Sequence, residues 1–115
     1  RRGNQWFKGK AMEGSSPMGP WLVTSDEVGA DPHLRVSLRV NGETKQDSNT
    51  EMLIFDIPTC IADISEVMTL EPGDIISTGT PAGVGLYMKP PQFLKPGDLM
   101  ETEVEKIGVL RNRIR

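Results

Sequence analysis

Alternation of apolar and polar residues is clearest in the stretch LRVSLRV, residues 34–40, where every second residue is apolar. A period of two places the apolar side chains on one face of a β-strand. Asn41 and Gly42 follow, and this dipeptide suits the two positive φ angles of a type I′ turn. The pattern therefore predicts a β-hairpin whose returning strand, residues 43–46, is polar and lies at an edge of the sheet.

A helical period follows in DIPTCIADISEVM, residues 56–68. Four apolar residues recur there at helical spacing and form one stripe: Ile57, Ile61, Ile64 and Met68. Asp56 is suited to cap this helix and Pro58 to occupy its first turn. The pattern predicts a helix that ends before Pro72 and packs its apolar stripe into the core.

Two similar segments, LEPGDIIST at 70–78 and LKPGDLMET at 94–102, contain Pro-Gly at their centres. Pro-Gly suits the central positions of a type II turn, so each segment predicts a tight turn that leads into a strand. A further short strand is predicted at 21–24, and two more around residues 106–108. With six to eight strands and one clear helix, the predicted fold is mainly β (α+β), a mixed β-sandwich or roll with a helix packed on it.

Composition restricts the classes of function. The 115 residues suit one domain, and the net charge of −3 gives no support for binding nucleic acid. No apolar run approaches the roughly 18 residues of a membrane span. The single cysteine, Cys60, fits a reducing cytoplasm, and the single histidine, His33, excludes a site with several histidine ligands in this chain.

The segment ISTGTPAGVG, residues 76–85, has three glycines and a proline within ten residues. No lysine follows its glycines as in a phosphate-binding P-loop, and their spacing differs from a dinucleotide fingerprint. Backbone N–H groups and a threonine hydroxyl in such a turn can hold a carboxylate or an enolate oxygen. Turn geometry alone would also explain the glycines.

Charged residues leave similar alternatives open. Lys10 follows Gly9 and can approach a bound anion closely, although a solvated lysine is the simpler interpretation. The carboxylates are scattered and lack the tight spacing of a cation site, so the residues themselves indicate no metal site.

Four segments taken in order resemble the fumarylacetoacetate hydrolase family, and they cover nearly all of the chain: FKGKAMEGSSPMGPWLVTSDE, LRVNGETKQDSNTEMLIFDIP, TLEPGDIISTGTPAGVG and FLKPGDLMETEVEKIGVLRNRI. Within the family they are most similar to the bacterial acylpyruvate hydrolase and 2-hydroxyhepta-2,4-diene-1,7-dioate isomerase branch.

The resemblance implies a mixed β-sandwich roll of the family's C-terminal type, with one or two short helices, in a cytoplasmic homodimer. It implies a Mg²⁺- or Mn²⁺-dependent enzyme of aromatic-compound catabolism that hydrolyses a C–C bond of an acylpyruvate, or isomerises a related 2,4-dioxo acid, through a metal-stabilised enolate. The resemblance also implies roles for individual residues. Lys10, in the GK motif, would be catalytic; Gly79 and Thr80, and less directly Asn49 and Thr50, would bind the substrate.

The resemblance also implies what this sequence does not contain. The family's metal carboxylates, a Glu-x-Glu pair and an Asp, lie upstream of the GK motif, and only nine residues precede Lys10 here. The His/Glu pair that activates water in the hydrolases is also upstream of the GK motif. Residues 1–115 are therefore expected to be the C-terminal portion of a single catalytic domain. The alternatives are a non-catalytic β-roll binding module and an oxaloacetate-type decarboxylase of the same family.

Overall fold

Four antiparallel strands form the sheet in the computed structural model, which describes residues 7–30 and 32–115. The strands are β1 (Arg35–Val40), β2 (Glu43–Asn49), β3 (Leu99–Val104) and β4 (Gly108–Arg113), in the order β2-β1-β3-β4. Strand β1, which has the strict apolar alternation, is one of the two inner strands and pairs with β2 on one side and with β3 on the other.

The predicted hairpin is confirmed. Asn41 and Gly42 have φ of 51° and 83°, which is the pair of positive angles that a type I′ turn requires. The returning strand β2 lies at the edge of the sheet, as predicted, and continues to Asn49. Its register shifts by one residue, because Leu38 faces Gln46 whereas Arg39 faces Thr44. The extra residue is Lys45, which forms a β-bulge.

Within the described residues, three short α-helices accompany the sheet: α1 (Phe7–Lys10), α2 (Ser25–Val28) and α3 (Ile57–Ser65). Two 3₁₀ turns, Thr50–Met52 and Gly85–Tyr87, lie there as well. Helix α3 is the predicted one, and the Asp56 carboxylate accepts a hydrogen bond from the Thr59 N–H at 2.7 Å. The hydrogen bonds from Thr59 hold the pKa of Asp56 below its usual value. None of the helices in the described ranges is long and apolar enough to cross a membrane.

Both Pro-Gly turns form as predicted. Gly73 and Gly97 have φ of 105° and 95°, and the aspartate after each glycine accepts a hydrogen bond at 2.8 Å from the N–H three residues earlier. Only the second turn leads into a strand, β3. The strand predicted after the first turn was wrong, because residues 75–78 pair with no strand of the sheet.

The strand predicted at 21–24 was also wrong. This segment has no regular structure before α2, and a side chain rather than a backbone ladder attaches it to the sheet. The indole N–H of Trp21 donates to the carbonyl oxygen of Ile107 at 2.6 Å, in the turn between β3 and β4. The described residues therefore contain four strands rather than six to eight.

The core within the described residues is small. Leu34 is the buried hydrophobic residue, with 3% of its surface exposed. The apolar stripe predicted for residues 56–68 is covered only in part. Ile57 and Ile64 are half-buried, whereas Ile61 and Met68 are 43% and 55% exposed, and Met68 lies beyond the end of α3. Periodicity places these side chains on one face of the helix, but the sheet does not pack closely against that face.

Charged residues cover the face of the sheet opposite to the apolar residues of β1, and they pair across strands. Three pairs have nitrogen–oxygen distances of 2.6–2.8 Å: Arg35–Asp47, Arg39–Glu103 and Arg111–Glu101. Glu101 also lies 3.7 Å from the guanidinium of Arg39 and is the least exposed of these carboxylates. The hydrogen bond and the charge of Arg111, followed by the charge of Arg39, hold the pKa of Glu101 below its ordinary value.

Acid should weaken the sheet through Glu101. Its pKa is lower in the folded than in the unfolded protein, so folding favours the ionised carboxylate. That contribution is complete above the ordinary pKa and is lost as the pH falls through the folded value. We therefore expect Tm to fall below about pH 4.5. Glu101→Gln should lower Tm at pH 7 and reduce the loss in acid, as measured by thermal melts.

Glu13→Gln removes an exposed carboxyl outside the sheet and is the matched control. A Glu101→Gln variant whose Tm changes with pH in parallel with that of the native protein would contradict the role assigned to this carboxylate.

Candidate functional site

The glycine-rich segment lies against the bulge of β2, and two of its glycines are required by close backbone contacts, one to this bulge and one to Gln92. A Cβ at Gly83 would overlap the carbonyl oxygen of Lys45, and a Cβ at Gly85 would overlap that of Gln92. Gly79 has φ of 110° with no atom near its Cβ position, so it is required by the turn instead. Close packing and turn geometry together account for all three glycines.

The loop that carries Thr80 is attached to β2 by Gln46. The side-chain nitrogen Nε2 of Gln46 is 3.0 Å from Oγ1 of Thr80 and 2.8 Å from the carbonyl oxygen of Pro81. Gln46 follows the bulged Lys45 and faces Leu38 across the sheet. The bulge therefore determines where both the side-chain and the backbone contacts to the loop occur.

Thr80 lies at a cavity of about 230 Å³ between this loop and the sheet. Most of the cavity lining is apolar, including Leu38, Val40, Met88, Phe93 and Met100. Its polar lining comes from Lys45, Gln46, Thr80, Gln92 and Asp98. An apolar hollow with a few polar groups is the usual form of a small-molecule site.

The amino group of Lys45 already has an ion-pair partner and a hydrogen-bond partner in this cavity. Its Nζ lies 2.7 Å from Oε1 of Glu43 and 3.0 Å from Oε1 of Gln92, and 17% of its side chain is exposed. The exposed hydroxyl of Thr80 is therefore better placed than Lys45 to contact a ligand.

Asn49 and Thr50, expected in the same cleft, lie elsewhere. Thr50 lines a second cavity of about 180 Å³, and neither residue lines the first. The Thr50 hydroxyl accepts from the Leu34 N–H at 2.9 Å and donates to the Pro32 carbonyl at 2.7 Å. The Asn49 side chain accepts from the Glu51 N–H. The Asn49 side chain thus caps the turn after β2, and the Thr50 hydroxyl joins this turn to the residues that precede β1.

Lys10 is the last residue of α1, and its side chain is exposed. It lines neither of the two cavities, so the structure does not bring it together with Thr80 in one pocket. Sequence reasoning missed Gln46, because the polar sequence of β2 suggested only a solvated edge. The signal that could have found Gln46 is its position opposite Leu38, an apolar residue of β1. This position follows from the bulge and is not visible in the sequence alone.

The described residues do not fit a divalent metal site. In the ranges 7–30 and 32–115, no three His, Cys, Asp or Glu side chains converge as metal ligands would. His33 and Glu51 approach to 3.4 Å at the second cavity, but both are more than half exposed. A pair of this kind supplies too few ligands for a hard cation.

Comparison with known proteins identifies relatives along the whole chain. A family model described as fumarylacetoacetate (FAA) hydrolase C-terminal matches residues 1–115. The mitochondrial oxaloacetate tautomerase of Rattus norvegicus is 50% identical over 115 residues, which cover 99% of this chain and 36% of that protein. A 2,4-didehydro-3-deoxy-L-rhamnonate hydrolase of a Sphingomonas species is 48% identical, with the same coverage of this chain and 40% of its own length. The chain thus spans little more than a third of these relatives.

Solved structures agree with these relatives. A fumarylacetoacetate hydrolase of Exiguobacterium antarcticum superposes with a TM-score of 0.91 at 44% identity, over 96% of this chain and 40% of that one. A maleylpyruvate hydrolase of Sphingobium sp. SYK-6, in complex with manganese(II) and pyruvate, superposes with a TM-score of 0.74 at 42% identity, over 84% and 34% of the two chains. The superpositions confirm the predicted fold class, a mainly β (α+β) mixed β-sandwich roll of this C-terminal type.

Gly83→Ala should destabilise the protein by separating the loop from β2. Its φ of 104° costs an L-residue about 1–2 kcal/mol. The overlap with the Lys45 carbonyl adds about 1–3 kcal/mol. Gly97→Ala is the matched control, because φ is 95° there and no atom lies within 4 Å of the added Cβ. Denaturant unfolding of the two variants measures the difference, and equal losses would contradict the close approach.

Proposed function

We propose, because the chain belongs to the fumarylacetoacetate hydrolase family, that it is the C-terminal portion of a single catalytic domain that acts on 2-oxo acids through their enol forms. Support comes from relatives named for such substrates, among them oxaloacetate and maleylpyruvate. The observation that carries the proposal is the position of Thr80, whose exposed hydroxyl lies at an apolar cavity on a loop attached to the sheet at two points.

Two reactions share the chemistry that this position suits. Tautomerisation of a 2-oxo acid moves a proton between C3 and the oxygen on C2. Hydrolysis of an acylpyruvate adds water across the bond between C3 and the distal carbonyl carbon, which gives a carboxylic acid and pyruvate. Both pass through negative charge on the C2 oxygen, and donors aimed at that charge lower the barrier. A hydroxyl and an ammonium group are donors of this kind.

The residues of this chain then take different parts. Thr80 and the adjacent Gly79 N–H bind the oxygen-rich end of the substrate, and Lys10 supplies positive charge toward it. Asn49 and Thr50 lie outside the first cavity, so a substrate would reach them only where it extends beyond that cavity. Lys10 lines neither cavity, so the reactive end of the substrate would extend beyond the first cavity toward α1.

A divalent ion, Mg²⁺ or Mn²⁺, is part of the proposal only for the full-length protein. The described residues offer no cluster of ligands for it. One solved relative contains manganese(II) and pyruvate together. If an ion of this kind binds, its ligands would belong to other residues, and this chain would contribute binding and charge around the substrate.

Tautomerisation or isomerisation, rather than hydrolysis, is the second candidate for the reaction. It is favoured by the 50% identity to an oxaloacetate tautomerase. Acetylpyruvate and oxaloacetate separate the candidates. Hydrolysis of acetylpyruvate yields acetate and pyruvate, whereas tautomerisation of oxaloacetate only changes its enol absorbance. A protein that turns over neither compound, and whose Tm neither compound raises, would instead be the non-catalytic β-roll module.

The assembly and the compartment also belong to the proposal. Many large apolar side chains are exposed in the described residues, Leu22 and Ile54 by more than 90%, which supports further packing in a homodimer. We propose the cytoplasm as the compartment, although the tautomerase from Rattus norvegicus is named as mitochondrial.

Lys10→Ala should lower kcat/KM in the full-length protein while Tm stays unchanged. The side chain is exposed, so its removal costs little packing, whereas loss of a positive charge near an enolate removes transition-state stabilisation. We expect a decrease of about 100-fold. Lys95→Ala, an exposed lysine in the second Pro-Gly turn, is the control and should keep native activity. Unchanged kcat/KM in Lys10→Ala would remove this lysine from the mechanism.

A further inference from the structure

The orientation of the Gln46 side-chain amide follows from its partners. The carbonyl oxygen of Pro81 lies 2.8 Å from one end of this amide, and a carbonyl can only accept hydrogen bonds. That end is therefore the NH₂ group. The same nitrogen lies 3.0 Å from Oγ1 of Thr80, so its two hydrogens serve the two oxygens. Neither contact leaves a choice in the direction of donation.

The direction of the Thr80 hydroxyl hydrogen follows in turn. A hydroxyl has one hydrogen and can accept through its lone pairs. Thr80 Oγ1 accepts from Gln46, whose NH₂ group offers it no lone pair in return. The hydroxyl hydrogen must therefore point away from Gln46, toward another acceptor.

We infer that Gln46 is a positioning residue that holds Thr80 as a hydrogen-bond donor toward an anionic oxygen of the substrate. The inference rests on the proposed function, because it takes Thr80 to contact the substrate. Ionised carboxylates and enolates only accept hydrogen bonds, so a threonine held as a donor matches them. An enol O–H or an alcohol in the same place could instead donate, and a fixed donor discriminates against that arrangement.

The backbone around Gln46 keeps this arrangement in place. The bulge at Lys45 places Gln46 opposite Leu38, on the face of the sheet with the apolar residues of β1. A half-buried amide on an apolar face needs hydrogen-bond partners, and the loop provides both. Gly83 packs on the Lys45 carbonyl one residue away, so the distance between the strand and Thr80 is set by backbone contact.

The test compares Gln46→Glu, Thr80→Val and the double variant in the full-length protein. A carboxylate at position 46 cannot donate, so the Thr80 hydroxyl would turn to donate to it and be lost to the substrate. We expect Gln46→Glu to raise the Kd for pyruvate and the KM for oxaloacetate about 10-fold or more, with a smaller change in kcat. In the Thr80→Val background, Gln46→Glu should cause no further change, because it acts through Thr80.

A pH profile separates this role from a structural one. When the carboxyl at position 46 is protonated it regains one donor, so the KM of Gln46→Glu should move back toward the native value as the pH falls from about 6 to about 4. Gln46→Met keeps the length of the side chain without polar atoms and leaves the Thr80 hydroxyl free to rotate. Its KM should lie between those of the native protein and Gln46→Glu.

Thr44→Glu is the control, since it adds the same charge to β2 two residues from Gln46 but at an exposed position that faces Arg39 and lines neither cavity. Its KM should stay within about twofold of the native value, a limit set by ordinary surface effects. A Thr44→Glu variant with the same rise in KM as Gln46→Glu would show that added charge alone is responsible, and would overturn the inference.

Failure of the inference and failure of the proposed function give different results. If Thr80→Val leaves both the Kd for pyruvate and the KM for oxaloacetate unchanged, Thr80 does not contact substrate and the proposed function loses its main support. If Thr80→Val raises them but Gln46→Glu does not, the proposed function stands and the positioning role of Gln46 is wrong. Further loss from Gln46→Glu in the double variant would also show that it does not act through Thr80.

Discussion

The missing side chain at Gly83 is the constraint on which the site depends. At this position the glycine-rich loop meets the carbonyl oxygen of Lys45 so closely that a Cβ would overlap it. Lys45 is the extra residue of a β-bulge, and bulged residues have no partner in the ladder. The bulge turns the strand backbone outward at Lys45, and Gly83, which has no Cβ, lets the loop backbone reach that carbonyl. Gln46 and Thr80 come within hydrogen-bonding distance as a consequence.

The two faces of the sheet are held by different physical interactions. On one face, alternating charges pair across strands, and each pair lies at least partly in water, where ion pairs contribute modestly. The other face is apolar and carries the cavity, the loop and the single polar residue of β2 that reaches the loop. A polar group costs most where it is shielded from water, so the half-buried Gln46 amide on this face needs the two partners that the loop supplies.

Local sequence signals predicted the local parts of the fold. Asn41-Gly42, the Asp56 cap and both Pro-Gly turns depend on the conformational preferences of a few neighbouring residues, and all of them form. The wrong predictions concern partners distant in sequence. Periodicity places Ile61 and Met68 on one face of the predicted helix but cannot say what packs there. Alternation likewise cannot say whether residues 21–24 find a strand to pair with, and they are attached by the Trp21 indole instead.

The site divides in the same way. Thr80 and Gly79 could be predicted from the family resemblance, because their motif is contiguous in sequence. The contact between Gln46 and the loop depends on a register shift, which is visible only once the strands are paired. Relatives named for tautomerisation and for hydrolysis are almost equally similar to this chain. Under the proposed function, both reactions share one step, the stabilisation of charge on the C2 oxygen. A threonine held as a donor would serve that step whichever bond is made or broken afterwards, so the groups that select the reaction would lie beyond the loop and the bulge that hold it.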